Sequence, residues 1–223
     1  MIYTFCDEAG QSSLHVKGEL YKYLIKVRRH SEGDELCFRS HNNIQTLHTY
    51  KLLHVEHRAV KLSLISSKHK ELKAQKALHV GWCLIDSKSI EKVLPSLCEI
   101  GVEKITFITC DRSQKNFKLD FKRLKRIQEA SMQQSGRTTF IEISRCRDIK
   151  SFIEEYPDTK VFDFCQNSLE DGANFQTVLV GCEGGFSNNE REFLKTQESF
   201  RLKTPMVLRS ESAVLAVSSK ILL

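Results

Sequence analysis

The chain has 223 residues, of which 40% are hydrophobic and 28% charged, and its formal net charge is +6. These proportions are typical of a soluble globular protein, and no apolar run approaches the roughly 20 residues of a membrane span. We therefore expect a cytoplasmic protein with no membrane partner. The eight cysteines form no CxxC pair, so the sequence predicts reduced thiols, no metal site and no disulfide framework.

The charge is unevenly distributed. Residues 1–70 carry 11 Lys and Arg against 7 Asp and Glu, and residues 112–147 carry 10 against 3. Residues 148–223 carry 8 against 12. Two basic blocks of this kind favour a polyanionic partner such as RNA, although a solvated basic face without a partner has the same composition.

The first part of the chain, residues 1–67, is predicted to be all-β. Short alternating runs at 36–38, 46–55 and 59–65 are typical of strands, and turn signals separate them. Several short strands at this spacing indicate a small barrel.

After a polar linker at 66–71 the pattern changes to alternating strands and helices. Strands are predicted at 77–85, 104–109, 139–143, 161–164 and 177–180. Helices are predicted at 88–100, 121–134, 188–200 and 211–223, the first with Pro95 inside it and Gly101 at its end. This alternation indicates an α/β domain with a mainly parallel sheet covered on both faces.

A glycine loop follows the last predicted strand. Gly181, Gly184 and Gly185 surround one carboxylate, that of Glu183. Glycines allow sharp turns and close approach of the backbone to a ligand, and open α/β sheets place ligands at such loops. The loop matches neither a Walker motif nor GxGxxG, and a tight strand-to-helix turn is the alternative. Beyond the loop, Ser187 and Glu190 form a capping-box pattern.

Three other segments carry polar side chains at the ends of predicted elements. Arg209, Ser210 and Glu211 stand where a strand meets the last helix, with Ser210 as a candidate helix cap. Arg112 follows the strand at 104–109, and Arg137 follows the basic helix. Paired guanidinium groups suit phosphate recognition, whereas simple capping is the alternative for 209–211.

Together, these segments resemble the RsmE family of bacterial ribosomal-RNA methyltransferases, in the SPOUT superfamily. The matching motifs lie at 179–187, 208–213, 99–102, 111–113 and 134–137, with a softer match at 27–34. The resemblance covers nearly the whole chain. Cys182 replaces the family's proline, Arg28 replaces an apolar residue, and serines at 210 and 212 replace threonines.

The resemblance implies a PUA-like RNA-binding β-barrel at 1–67 and a SPOUT methyltransferase domain at 68–223, with a parallel sheet and a trefoil knot. It also implies a homodimer that binds S-adenosylmethionine. Cofactor contacts are implied at Phe162, Asp163, Phe164, Gly181, Cys182, Glu183, Gly184, Gly185, Leu202, Lys203, Thr204, Met206, Val207, Leu208 and Glu211.

The reaction implied is methylation of N3 of a uridine in 16S rRNA, in the decoding region of the small ribosomal subunit. Catalytic roles are expected for Glu183 and Arg209. RNA contacts are expected from Arg28, Arg29, Arg112 and Arg137. Two alternatives stay open: a related methyltransferase with another target base, and a non-catalytic rRNA-binding protein.

Overall fold

The computed structural model describes residues 2–113, 119–170 and 172–223. The chain divides into two compact units. The N-terminal unit comprises residues 1–73 and 132–139, and the C-terminal unit comprises residues 74–131 and 140–223. The expected division at 67–68 thus falls close to the end of the first segment.

The N-terminal unit is built on a five-stranded sheet. Its strands are β1 (Thr4–Phe5), β2 (Ser13–Lys17), β3 (Glu35–Ser40), β4 (Asn43–Val55) and β5 (Ala59–His69). Their order is β1-β3-β4-β5-β2, antiparallel except for the parallel pair β1–β3. The last three strands lie where the sequence predicts them, whereas β1 and β2 are too short and polar to be recognised from their pattern.

One face of this sheet holds the apolar core of the unit, because alternate side chains of a strand point to the same side. In β2 the alternation buries Leu14 and Val16. Helix α1 (Gly18–Tyr21) and the π-helical segment Lys22–Val27 follow β2 and add Tyr21 and Leu24 to the same core.

The C-terminal unit is built on a six-stranded sheet that is parallel throughout. Its strands are β6 (His79–Cys83), β7 (Lys104–Ile108), β8 (Glu142–Cys146), β9 (Lys160–Phe162), β10 (Thr177–Val180) and β11 (Ser199–Phe200). Their order is β11-β9-β10-β6-β7-β8. The predicted α/β class with a parallel sheet is confirmed.

Five helices belong to the connections of this sheet or follow it. They are α2 (Ser87–Ile100), α3 (Phe121–Ser135), α4 (Ile149–Glu155), α5 (Asn188–Leu194) and α6 (Ser210–Leu222). Helix α2 begins where Asp86 accepts a hydrogen bond from the backbone N–H of Ser89, and it ends at Gly101, whose φ is 100°. It continues through Pro95. The C-terminal end is where Gly101 predicts it, whereas the Asp86 cap was not among the predicted signals.

Two predicted elements are wrong in position, and one helix was missed. Helix α5 ends at Leu194 rather than at 200, because Phe200 is needed in β11, where it is buried against β9. Strand β8 begins at Glu142 rather than at 139, since the backbone N–H of Thr138 donates to Leu72 in the N-terminal unit. Helix α4 was not predicted at all. Tertiary contacts override the local pattern in the first two cases.

The eight cysteines are all free thiols, and five of them are buried. Within the described residues, no three His, Cys, Asp or Glu side chains are arranged to hold a metal ion. No helix in the described ranges is both long enough and apolar enough to cross a membrane.

Candidate functional site

A cavity of about 320 Å³ lies in the C-terminal unit, beyond the carboxyl ends of β9 and β10. Three chain segments line it: residues 162–164, residues 180–186, and residues 201–210 apart from 203 and 209. The carboxyl ends of parallel strands meet at one edge of a sheet, and open α/β folds bind ligands there. Arg191 and Ala213 complete the wall.

Most residues expected to contact a cofactor line this cavity. They are Phe162, Asp163, Phe164, Gly181, Cys182, Glu183, Gly184, Gly185, Leu202, Thr204, Met206, Val207 and Leu208. The two others, Lys203 and Glu211, are not part of the lining. One carboxylate oxygen of Glu211 is nevertheless buried, with no hydrogen-bond partner among the described residues.

The glycine loop turns tightly between β10 and α5. Gly185 has a φ of 64°, a conformation that favours glycine, and its N–H donates to the carbonyl of Cys182. A Cβ on Gly184 would lie 3.3 Å from the side chain of Arg112. At the far end, Ser187 and Glu190 form the predicted capping box, with both reciprocal hydrogen bonds present.

The loop after β7 braces the glycine loop from the side. Arg112 Nη1 donates to the carbonyl oxygen of Gly184 at 2.6 Å, and the N–H of Asp111 donates to Glu190 Oε1 at 2.8 Å. The hydroxyl of Ser187 donates to the Asp111 carboxylate. Arg112 was expected to contact RNA. It is exposed, but one of its N–H groups is committed to the cavity wall.

Ser210 connects three parts of the unit. Its hydroxyl accepts a hydrogen bond from Trp82 Nε1 at 2.9 Å and donates to the carbonyl oxygen of Gly181 at 2.6 Å. The expectation that Ser210 caps α6 is therefore wrong. The N-cap is Arg209, which makes no side-chain capping bond, and the single proton of Ser210 is used on the glycine loop.

Three buried thiols lie close together at the glycine loop: that of Cys182 in the loop itself, and those of Cys110 and Cys83. Cys182 Sγ lies 3.5 Å from Cys110 Sγ, which is also 3.0 Å from the hydroxyl of Ser113. The hydrogen bond with Cys110 and burial raise the pKa of Cys182, and burial chiefly raises that of Cys83. Cys182 therefore packs as a protonated, small apolar group where the resembled family carries proline.

Arg191, in α5, is a wall residue that the sequence patterns did not single out. Its Nε and Nη2 donate to the two carboxylate oxygens of Asp163 at 2.9 and 3.0 Å. This hydrogen bonding raises the pKa of Arg191. No local motif could have revealed the pair, because 28 residues separate its members.

The two expected catalytic residues occupy different positions. Glu183 is exposed in the cavity wall, and its carboxylate makes no hydrogen bond or ion pair with any described residue. Arg209 is also exposed, but it lies outside the lining, at the start of α6. A free carboxylate at a cavity wall can accept a proton from a bound molecule.

The other three arginines expected to contact RNA, Arg28, Arg29 and Arg137, belong to the N-terminal unit. Arg28 donates from Nε to the hydroxyl of Tyr23 at 3.0 Å, and Arg29 is exposed with a φ of 61°. Arg137 departs from the surface position expected of an RNA contact, since only 6% of it is exposed. Its Nε donates to the carbonyl oxygen of Thr139 at 2.6 Å.

The chain matches the model of a known protein family, described as an RNA methyltransferase domain, over residues 72–222. It is 34% identical over 223 residues to the ribosomal RNA small subunit methyltransferase E of Helicobacter pylori strain 26695, covering 98% of both chains. It is 29% identical to the protein of the same name from Aquifex aeolicus, covering 60% of this chain and 63% of that one.

Solved structures share the fold. A ribosomal RNA small subunit methyltransferase E from Neisseria gonorrhoeae, bound to S-adenosyl methionine, superposes with a TM-score of 0.74 at 16% identity. It covers 98% of this chain and 95% of that one. A Legionella pneumophila protein in complex with the bound cofactor SAM gives a TM-score of 0.76 at 20% identity, covering 98% and 94%.

Proposed function

Because this chain belongs to the RNA methyltransferase family that includes the ribosomal RNA small subunit methyltransferase E proteins, we propose that it methylates N3 of a uridine in 16S rRNA. The methyl donor is S-adenosylmethionine, and the target lies in the decoding region of the small ribosomal subunit. The observation that carries the proposal is the cavity: the three segments in which the family resemblance implies cofactor contacts converge on it.

The cavity suits S-adenosylmethionine in size and lining. Small-molecule sites have volumes of about 300–1,000 Å³ and combine apolar walls with a few polar groups. Here Phe162, Met206 and Leu208 supply apolar surface for an adenine ring. The glycine loop exposes backbone groups without side chains, which lets a ligand approach them closely. We assign cofactor binding to the lining residues named above.

The protein's own contribution to the reaction follows from the chemistry of uracil. N3 carries a proton and is a poor nucleophile, so it has to lose that proton and be aligned. Glu183 is the proposed base, because its carboxylate is exposed in the wall and unpaired among described residues. Arg209 would hold positive charge near the uracil oxygens or a phosphate. S-adenosylmethionine, when bound, supplies a methyl group on a sulfonium.

RNA binding is proposed for the N-terminal unit and for α3. Arg28 and Arg29 lie at the end of the π-helical segment, where Arg29 has a backbone conformation unusual for a side-chain-bearing residue. Four basic residues of α3 are exposed: Lys122, Arg123, Lys125 and Arg126. N3 lies on the pairing edge of uracil, so the target base has to be unpaired or flipped out.

Several finer features belong to the same proposal. They are a PUA-like barrel at 1–67, a trefoil-knotted domain at 68–223, a homodimer and a cytoplasmic location. Family membership supports all of them. Exposed apolar side chains at the cavity rim, namely Phe164, Met206 and Val207, also support a subunit contact, since such groups favour burial.

The test is primer extension on small-subunit rRNA from a strain that lacks the gene. A methyl group on N3 blocks base pairing and stops the polymerase. We expect a stop in the wild type, its loss in the deletion strain, and its return on complementation. A methylated base of another kind at the affected site would favour a different target. Absence of S-adenosylmethionine binding by calorimetry would favour a non-catalytic rRNA-binding protein.

A further inference from the structure

Arg191 and Asp163 form a bidentate ion pair in the cavity wall. The guanidinium approaches the carboxylate with two parallel hydrogen bonds of 2.9 and 3.0 Å. The Asp163 side chain is only 17% exposed, whereas that of Arg191 is 42% exposed. Two-pronged arginine–carboxylate pairs fix direction as well as distance. The pair therefore sets where the Asp163 side chain points.

The same guanidinium also lies against the glycine loop. A Cβ on Gly185 would stand 3.6 Å from Arg191 Nη2. Gly185 has a positive φ and lines the cavity. One side chain of α5 thus pairs with one wall segment and lies close to a second, the glycine loop, which leads directly into the same helix.

Asp163 is held from two sides. Its backbone N–H donates to the carbonyl oxygen of Phe200 in β11 at 3.1 Å, and its carboxylate is held by Arg191. The next residue, Phe164, is 75% exposed and stands at the cavity rim. Without Arg191 the carboxylate would be partly buried and unpaired, which is unfavourable, so it would turn towards water. Such a rotation would move the rim.

We propose that Arg191 is a positioning residue for the S-adenosylmethionine site: through Asp163 it holds segment 162–164 beside the glycine loop in the arrangement that receives the cofactor. This inference rests on the proposed function. Arg191 acts on the wall and not on the reacting atoms. Its loss is therefore expected to weaken cofactor binding and to leave the rate of transfer at saturation nearly unchanged.

The test compares three changes at the pair. Arg191→Met removes the charge and both donors, and we expect it to raise the Kd and the KM for S-adenosylmethionine about tenfold, with kcat within about twofold. Arg191→Lys keeps the charge but not the planar guanidinium group, and its Kd should lie between those of the wild type and Arg191→Met. Combining Arg191→Met with Asp163→Asn should cost no more affinity than Asp163→Asn alone, because Arg191 acts through Asp163. Calorimetry gives Kd, and methyl transfer to rRNA gives KM and kcat.

Lys160→Met is the matched control. It removes the ion pair of Lys160 Nζ with Glu198 at 2.8 Å, at the start of β9, the strand that Asp163 follows, and this pair is not part of the cavity wall. We expect its Kd for S-adenosylmethionine to equal that of the wild type. An equal loss of affinity in the control would overturn a specific role for Arg191.

Other outcomes separate the two proposals. If the wild type does not bind S-adenosylmethionine, the proposed function fails. If the wild type binds and Arg191→Met binds equally well, the positioning role fails and the function stands. Should Arg191→Met not fold, as judged by urea denaturation, the comparison uses Arg191→Lys, alone and combined with Asp163→Asn. If Arg191→Lys weakens cofactor binding equally in the presence and absence of the Asp163 carboxylate, the proposal is overturned.

Discussion

A single hydroxyl group, that of Ser210, joins the central sheet, the glycine loop and the last helix. It is almost fully buried, with 4% exposed, and its two hydrogen bonds satisfy Trp82 Nε1 and the carbonyl oxygen of Gly181. Both partners would lose a hydrogen-bond partner if the hydroxyl were removed. The hydroxyl of Ser210 is therefore used for these two hydrogen bonds and not, as the sequence suggested, for capping α6.

We therefore predict that Ser210→Ala lowers the free energy of unfolding by about 1–3 kcal/mol, the usual penalty for leaving buried polar groups unpaired. Ser210→Thr retains the hydroxyl and should stay within about 1 kcal/mol of the wild type if its methyl group fits. Urea denaturation measures both. Equal stability of the Ala variant and the wild type would show that the two hydrogen bonds contribute nothing.

Glu183 is the second residue whose role can be isolated. Glu183→Gln keeps the size of the side chain and removes its ability to accept a proton, so we predict a fall in kcat of about 100-fold or more. The Kd for S-adenosylmethionine should change much less than kcat, because the amide keeps the size of the side chain and can still accept a hydrogen bond in the cavity wall. Single-turnover methylation and calorimetry provide the two values. A wild-type rate in the variant would exclude Glu183 as the base.

At the scale of elements, the loop after β7 and the start of α5 act together on the glycine loop. Arg112, Asp111 and Glu190 form this contact through two hydrogen bonds of 2.6 and 2.8 Å. Sequence motifs identified all three positions but not their association, because β6 lies between β7 and β10 in the sheet. Strand order in a parallel sheet depends on long-range pairing that a local pattern does not contain.

The hydrogen bond from Arg112 to the Gly184 carbonyl leads to a prediction for Arg112→Ala. We expect the Kd for S-adenosylmethionine to rise about threefold to tenfold, since a charge-assisted hydrogen bond to the cavity wall is lost. The slope of RNA affinity against salt concentration should also fall, because Arg112 is exposed and one of its N–H groups is used on the cavity wall, which leaves its charge able to contact a phosphate. Lys122→Ala, on the exposed face of α3, is the contrasting variant and should reduce that slope without changing the Kd for S-adenosylmethionine. An unchanged slope for Arg112→Ala would exclude that arginine from RNA binding.

Helices and strands whose ends carry local capping or turn signals could be predicted from the sequence. Those that form only because they pair with a distant strand could not. Helix α2 has an Asp cap, a periodic apolar face and a glycine stop, and all of these follow from local chemistry. Strand β11 has two residues and exists because Phe200 pairs with Phe162 of β9. The cavity shows the same contrast. Its glycine loop was predictable from the sequence, whereas the place of Arg191 in the wall was not, because it depends on pairing with Asp163, 28 residues away.

At the scale of the molecule, stability of the C-terminal unit depends on a buried histidine. His79 begins β6 and shares a hydrogen bond of 2.8 Å with Thr106 Oγ1, which contacts Ser144 Oγ in turn. The ring of Phe152 in α4 and that of Tyr156, the residue after this helix, pack against it. Lys104, Glu142 and Glu155 are the charged groups around it. Burial, together with the charge of Lys104, lowers the pKa of His79 to about 4.

Because the folded form binds the proton less well than the unfolded form, stability is retained above pH 6.5 and lost as the pH falls towards 4. We predict a loss of up to about 3 kcal/mol across this window, since one pKa unit corresponds to about 1.4 kcal/mol. His79→Gln should remove most of this dependence. Urea denaturation between pH 7 and pH 4.5 tests it, and an unchanged slope in the variant would assign the effect to other groups.

The position of the cavity walls along the chain has a consequence for synthesis. All lining residues lie between 162 and 213, and β10 pairs with β6, a strand made almost a hundred residues earlier, in the register Thr177 to His79. During translation, the N-terminal unit's first segment and the strands β6–β8 emerge before any wall exists. A nascent chain therefore has no cofactor site until residues 162–213 have left the ribosome, and it cannot bind S-adenosylmethionine there before that point.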